Sequence, residues 1–83
     1  MKATKQVFAV YDGKAVDMSY IPNAKERFKY AAMRVHDNAG KGYVIEDADV
    51  FEIIPGKRRA YRLSADDAQA IIDKFASPQP LFT

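Results

Sequence analysis

The chain contains no cysteine, and His36 is its only histidine. Without cysteine there is no disulfide, no thiolate metal ligand and no thiol nucleophile, a usage typical of a cytoplasmic protein. One candidate base with no nucleophile motif beside it does not make a catalytic site. We therefore expect a protein that is not an enzyme and has no catalytic residues. His36 is interpreted as a surface histidine near the negative end of a helix.

Long apolar runs are also missing. No stretch approaches the ~20 apolar residues that a membrane span requires. The apolar run 7–11 is too short for a signal peptide, because Asp12 ends it. We expect a cytoplasmic protein with no membrane partner. The length of 83 residues predicts a single small domain.

Cofactor and metal motifs are absent as well. Gly40-Lys41-Gly42 follows a predicted helix, whereas a phosphate-binding loop precedes one. The RNP, C₂H₂ and GXXG motifs of nucleic-acid-binding proteins do not occur. The only cluster of carboxylates, at residues 46, 47, 49 and 52, has neither a glycine nor calcium-loop spacing. It is interpreted as a solvated strand edge or a contact for a basic partner, so no cofactor and no metal are predicted.

Turn and capping residues divide the chain into elements. Asp12-Gly13 between two β-branched and aromatic runs predicts a hairpin with strands over 5–11 and 14–19. Asn23, with Glu26 three residues later, predicts the start of a helix over 24–38. The remaining expected elements are a hairpin of strands 50–54 and 58–63 around Pro55-Gly56-Lys57 and a helix over 65–76 capped by Ser64; whether 43–46 is a separate strand stays open.

The order β-β-α-β-β-α predicts an α+β domain over residues 1–76. Its two hairpins are expected to form an antiparallel sheet with both helices on one face, in two layers. Residues 77–83 form a proline-containing tail. Within it, Gln79-Pro80-Leu81-Phe82 resembles the short glutamine-plus-hydrophobic peptides that dock on bacterial sliding clamps. The alternatives are a tail that folds back on the core or remains disordered.

The net charge of +2 is unevenly distributed. Residues 1–42 have eight basic and four acidic side chains, and residues 43–83 have five and seven, giving +4 and −2. In the second hairpin, alternation places Phe51 and Ile53 against Tyr61 and Leu63, and Glu52 against an arginine. The basic side chains of this hairpin are Lys57, Arg58, Arg59 and Arg62. Three interpretations of these basic side chains stay open: phosphate binding, a solvated hairpin or a charged protein interface.

The predicted helix over 24–38 has two different sides. Its apolar stripe consists of Ala24, Phe28, Ala31, Ala32, Val35 and Ala39. The far side is predicted to present Arg27, Tyr30, Met33 and Arg34. Tyrosine, methionine and arginine are enriched at protein interfaces. The alternative is a helix that is buried on more than one side.

These features favour a non-enzymatic protein-binding domain over an enzyme. The size suits an adaptor or a small stoichiometric inhibitor of a host or nucleoprotein complex, such as those of phages and mobile elements, anti-CRISPR proteins among them. The predicted partner-binding residues are Arg27, Tyr30, Met33, Arg34, Lys57, Arg58, Arg59 and Arg62. The alternative is a small nucleic-acid-binding module that uses the hairpin 57–62 and the basic side of the helix. The oligomeric state stays open.

Overall fold

A computed structural model describes residues 6–57 and 59–75. It contains five strands and two helices, which are, in chain order, β1 (Val7–Tyr11), β2 (Lys14–Asp17), α1 (Ala24–Asn38), β3 (Gly42–Glu46), β4 (Asp49–Ile53), β5 (Ala60–Arg62) and α2 (Ala65–Phe75). Arg58 and the tail 77–83, with its Gln79–Phe82 resemblance, lie outside the described residues.

The five strands form one antiparallel sheet in the order β2-β1-β3-β4-β5. Asp12 and Gly13 both have positive φ, 53° and 74°, as a two-residue hairpin turn requires. A second two-residue turn at 47–48 joins β3 to β4, so residues 42–46 are a separate strand. The predicted α+β class with an antiparallel sheet is confirmed, and the order becomes β-β-α-β-β-β-α.

The position of the helices differs from the prediction that both lie on one face. Val7, Ala9 and Tyr11 of β1 belong to the core cluster that α1 covers. Val10, with the half-buried Phe8, belongs to a second cluster, which α2 covers. Because successive side chains of a strand point to opposite faces, the two helices lie on opposite faces of the sheet. The unbroken apolar run of β1 reflects this, since a strand buried on both faces does not alternate.

The register between β4 and β5 also differs from the prediction. The paired residues are Phe51 with Arg62, Glu52 with Tyr61, and Ile53 with Ala60. The prediction that Phe51 and Ile53 lie opposite Tyr61, and that Glu52 lies opposite an arginine, is therefore wrong. The connection between the two strands consists of the six residues 54–59, and its length sets the register of the pairing. A shift of one residue in that register moves every side chain to the other face of the sheet.

The predicted helix termini are confirmed by hydrogen bonds. The side chain of Asn23 accepts from the backbone N–H groups of Lys25 and Glu26, at 2.9 and 3.2 Å. The hydroxyl of Ser64 accepts from the N–H of Asp67 at 3.3 Å. These bonds satisfy donors that a helix start otherwise leaves unpaired. Neither helix in the described part of the chain is long and apolar enough to cross a membrane.

Candidate functional site

Helix α1 is anchored to the sheet by one side only. Ala31 and Val35 are fully buried, and the ring of Phe28 packs edge-on against that of Phe51 with centroids 5.0 Å apart. On the other side, Tyr30 and Met33 remain 42% and 45% exposed. The predicted apolar stripe is thus largely confirmed. Neither Tyr30 nor Met33 belongs to either core cluster.

Arg27 does not belong to this outward side, which corrects the prediction. Only 2% of its surface is exposed. Its Nε donates to the carbonyl of Ile21 at 2.6 Å, and one terminal nitrogen donates to the carbonyl of Pro22 at 3.0 Å. The reason is helical spacing, since residues 27, 31 and 35 are four apart and form one stripe. Arg27 holds the segment before α1 against the helix.

The outward side of α1 and this preceding segment enclose a groove of about 530 Å³, which we call the tyrosine groove. Its floor includes the buried Met18. The other lining residues are Tyr20, Ile21, Tyr30, Met33, Arg34, Asp37 and Asn38. Three of the predicted residues, Tyr30, Met33 and Arg34, therefore lie together in one concave surface.

Arg34 is held in place by tyrosine hydroxyls. One terminal nitrogen of its guanidinium donates to the hydroxyl of Tyr20 at 3.4 Å. Hydrogen bonds with Tyr11 and then with Tyr20 raise the pKa of Arg34 above its ordinary value. The positive charge is therefore permanent. It lies beside an aromatic ring that is 66% exposed, and an exposed tyrosine next to an arginine is an arrangement common at binding surfaces.

A second groove, of about 510 Å³, lies on the other side of Met33, between α1 and the β4–β5 edge of the sheet. We call it the basic groove. Its lining residues are Phe28, Lys29, Ala32, Met33, His36, Ile53, Arg59 and Ala60. Five of them are apolar, three are lysine, histidine or arginine, and none is acidic. Met33 lines both grooves, so the two are neighbours on one surface.

The described basic residues of the predicted hairpin have different surroundings. Arg59 lines the basic groove, whereas the exposed Lys57 lines neither groove. Arg62 forms an ion pair with Asp49 at 2.8 Å. Its charge is therefore offset by a neighbour in the same sheet.

No described residues form a cluster that could hold a metal ion. Within residues 6–57 and 59–75, no three histidine or carboxylate side chains converge on a point that could hold a metal ion. His36 is half-buried and lines the basic groove. No serine, threonine or carboxylate is among the other residues that line that groove.

Tyr20 is not among the predicted partner-binding residues, yet it is the most exposed large hydrophobic side chain of the described residues. Its place directly before Ile21-Pro22 is the available signal, because a proline ends a strand and turns the chain. The alternative prediction combines the basic side of the helix with the hairpin 57–62, and Lys29 and Arg59 do lie together in the basic groove.

Comparison with models of known protein families, with curated proteins and with solved structures gives no match for this chain. Its function is therefore inferred from the surface itself.

Proposed function

We propose that the protein is a non-enzymatic protein-binding domain, an adaptor or a small stoichiometric inhibitor, that docks its partner in the tyrosine groove. One observation supports this most strongly. Of the four exposed large hydrophobic side chains of the described residues, three line this groove: Tyr20, Tyr30 and Met33. An apolar cluster on the surface of a small domain has a cost in water and is typical of an interaction site.

The shape of the groove favours a macromolecule over a small ligand. A small-molecule site usually buries 70–90% or more of its ligand. Here the walls themselves are largely open to solvent, since Tyr20, Tyr30 and Met33 are 66%, 42% and 45% exposed. A broad partner surface would cover these side chains. Arginine and tyrosine side chains at the centre of such a contact usually contribute most of its free energy.

A nucleic-acid-binding module is the alternative, and its expected site includes the basic groove, where Lys29, His36 and Arg59 lie without a carboxylate. Arg62 of the hairpin adds less to this site, because it is paired with Asp49. The tyrosine groove does not serve this alternative, since Asp37 lines that groove and would repel a phosphate. Nucleic-acid binding weakens steeply with salt, so a complex that persists in 0.5 M salt argues for a protein partner. The small size of the chain suits a stoichiometric inhibitor. An inhibitor of the phage or mobile-element type, such as an anti-CRISPR protein, is one form of the proposal.

Affinity capture from a lysate of the native host tests this proposal. The tagged chain is compared with Tyr30→Ala/Met33→Ala and with Tyr61→Ala. Tyr61 is a matched control, because it is 39% exposed and lies on β5, outside both grooves. We expect the wild type and Tyr61→Ala to retain one protein partner, and the double variant to lose it by at least about tenfold in affinity. Equal retention by the double variant, or recovery of nucleic acid alone, would contradict the proposal.

A further inference from the structure

We infer that the partner presents an acidic amphipathic segment, which crosses Met33 from the tyrosine groove into the basic groove and places carboxylates beside Lys29 and Arg59. This inference rests on the proposed function and specifies the partner's chemistry.

The composition of the basic groove defines what fits it. Phe28, Ala32 and Ile53 give it an apolar floor, while Lys29 and Arg59 contribute positive charge and no carboxylate lines it. A basic partner would be repelled, and a purely apolar one would leave the two cations without counter-charges. An apolar stripe flanked by aspartate or glutamate satisfies both parts of the groove.

The two cations are free to accept such a partner. The ion pair between Arg62 and Asp49 involves neither Lys29 nor Arg59. Lys29 and Arg59 thus have no carboxylate partner among the described residues. A carboxylate that arrives with a partner would form a new pair, and its desolvation beside the apolar floor would strengthen the attraction.

Continuity between the grooves sets the length of the segment. The groove residues of α1 lie within 30–38 on the tyrosine side and 28–36 on the basic side, so the two grooves lie side by side across the helix. A segment that joins them crosses α1, whose diameter with side chains is roughly 10–12 Å. A partner helix of about eight residues, or roughly two turns, covers that distance and brings apolar side chains to both sides of Met33.

The charges also orient the segment. Asp37 lines the tyrosine groove, and Lys29 and Arg59 line the basic groove. Like charges repel across an interface, so the acidic end of the segment belongs in the basic groove. Its more apolar end then contacts Tyr20 and Tyr30.

A display library of random 16-residue peptides, selected on the immobilised full chain, tests this inference. We expect the enriched peptides to have net negative charge and large apolar residues at helical spacing. In titrations of ¹⁵N-labelled protein, the amide signals of residues in both grooves should move together. The double variant Lys29→Glu/Arg59→Glu should weaken these peptides at least about tenfold. The control Lys25→Glu/Lys57→Glu, two exposed basic residues outside both grooves, should change the affinity less than about threefold.

The outcomes separate this inference from the proposed function. Neutral or basic enriched peptides, or signal changes confined to the tyrosine groove, overturn the acidic segment and leave the docking site in place. Signal changes in neither groove overturn both. If charge reversal perturbs folding by circular dichroism, Lys29→Gln/Arg59→Gln replaces it, and an unchanged affinity in that variant overturns the inference.

Discussion

Arg27 shows how a single residue connects the core with the candidate site. It is the only buried charged side chain among the described residues. Its hydrogen bonds to the carbonyls of Ile21 and Pro22 fix the segment that supplies one wall of the tyrosine groove. Arg27 thus contributes to the site by positioning the chain, without facing a partner.

Replacing Arg27 with methionine should therefore destabilise the fold. The substitution keeps the length of the side chain but leaves two carbonyl groups without their donors. We expect the free energy of unfolding to fall by about 1–3 kcal/mol, as measured by urea denaturation. Lys25→Met, an exposed change on the same helix, is the control and should cost less than about 0.5 kcal/mol. Equal effects would show that the buried hydrogen bonds contribute nothing to stability.

At the scale of elements, residues that act within one turn predict where a helix begins or a hairpin turns. The pairing of strands that are joined by a longer connection is not predicted in this way. The start of α1 at Ala24 follows from Asn23, because an N-cap acts on the N–H groups of the first turn. The Asp12-Gly13 turn likewise follows from the backbone geometry that two residues require. The pairing of β4 with β5 depends on how the six residues 54–59 close, and no residue pattern determines that.

The candidate site was predictable to the extent that it lies on one helix. Tyr30, Met33 and Arg34 were found because they share the outward side of α1. The prediction for Arg27 was wrong, because its spacing of four residues from the buried Ala31 places it on the inner stripe of the helix. Arg59 reaches the same surface through the tertiary fold, which the sequence pattern does not contain.

Gly42 is a position where β3 closely approaches β1 and α1. A Cβ built there would collide with the backbone carbonyl of Val10 and would lie 3.0 Å from Cγ1 of Val35. Gly42→Ala should therefore lower the free energy of unfolding by about 3 kcal/mol or more, at the upper end of the cost of overpacking.

Gly13→Ala provides the comparison for this prediction. Gly13 has positive φ but no atom within 4 Å of an added Cβ, so only backbone strain of about 1–2 kcal/mol is expected. Urea denaturation of both variants would measure the difference. A smaller loss for Gly42→Ala than for Gly13→Ala would mean that β3 and β1 are not packed as described.

Across the whole molecule, the exposed aromatic side chains and the grooves with cationic lining are distributed unequally between the two faces of the sheet. The α2 side has Tyr61 as its exposed aromatic residue. The α1 side has both grooves, with the exposed tyrosines, Met33 and the cations without ion pairs. The separation of helices onto opposite faces leaves the outer side of α1 uncovered by the rest of the described chain. A small domain can in this way fold around one side of a helix and bind through the other.

The central claim is that Tyr30 and Met33 serve binding and are not needed for folding. Urea denaturation of Tyr30→Ala/Met33→Ala, beside the wild type and Phe28→Ala, tests it most directly. The double variant should unfold within about 1 kcal/mol of the wild type, because both side chains are nearly half exposed and alanine favours a helix. Phe28→Ala removes a ring packed against Phe51 and should cost about 3 kcal/mol or more. A double variant as unstable as Phe28→Ala would contradict the account, since Tyr30 and Met33 would then belong to the core.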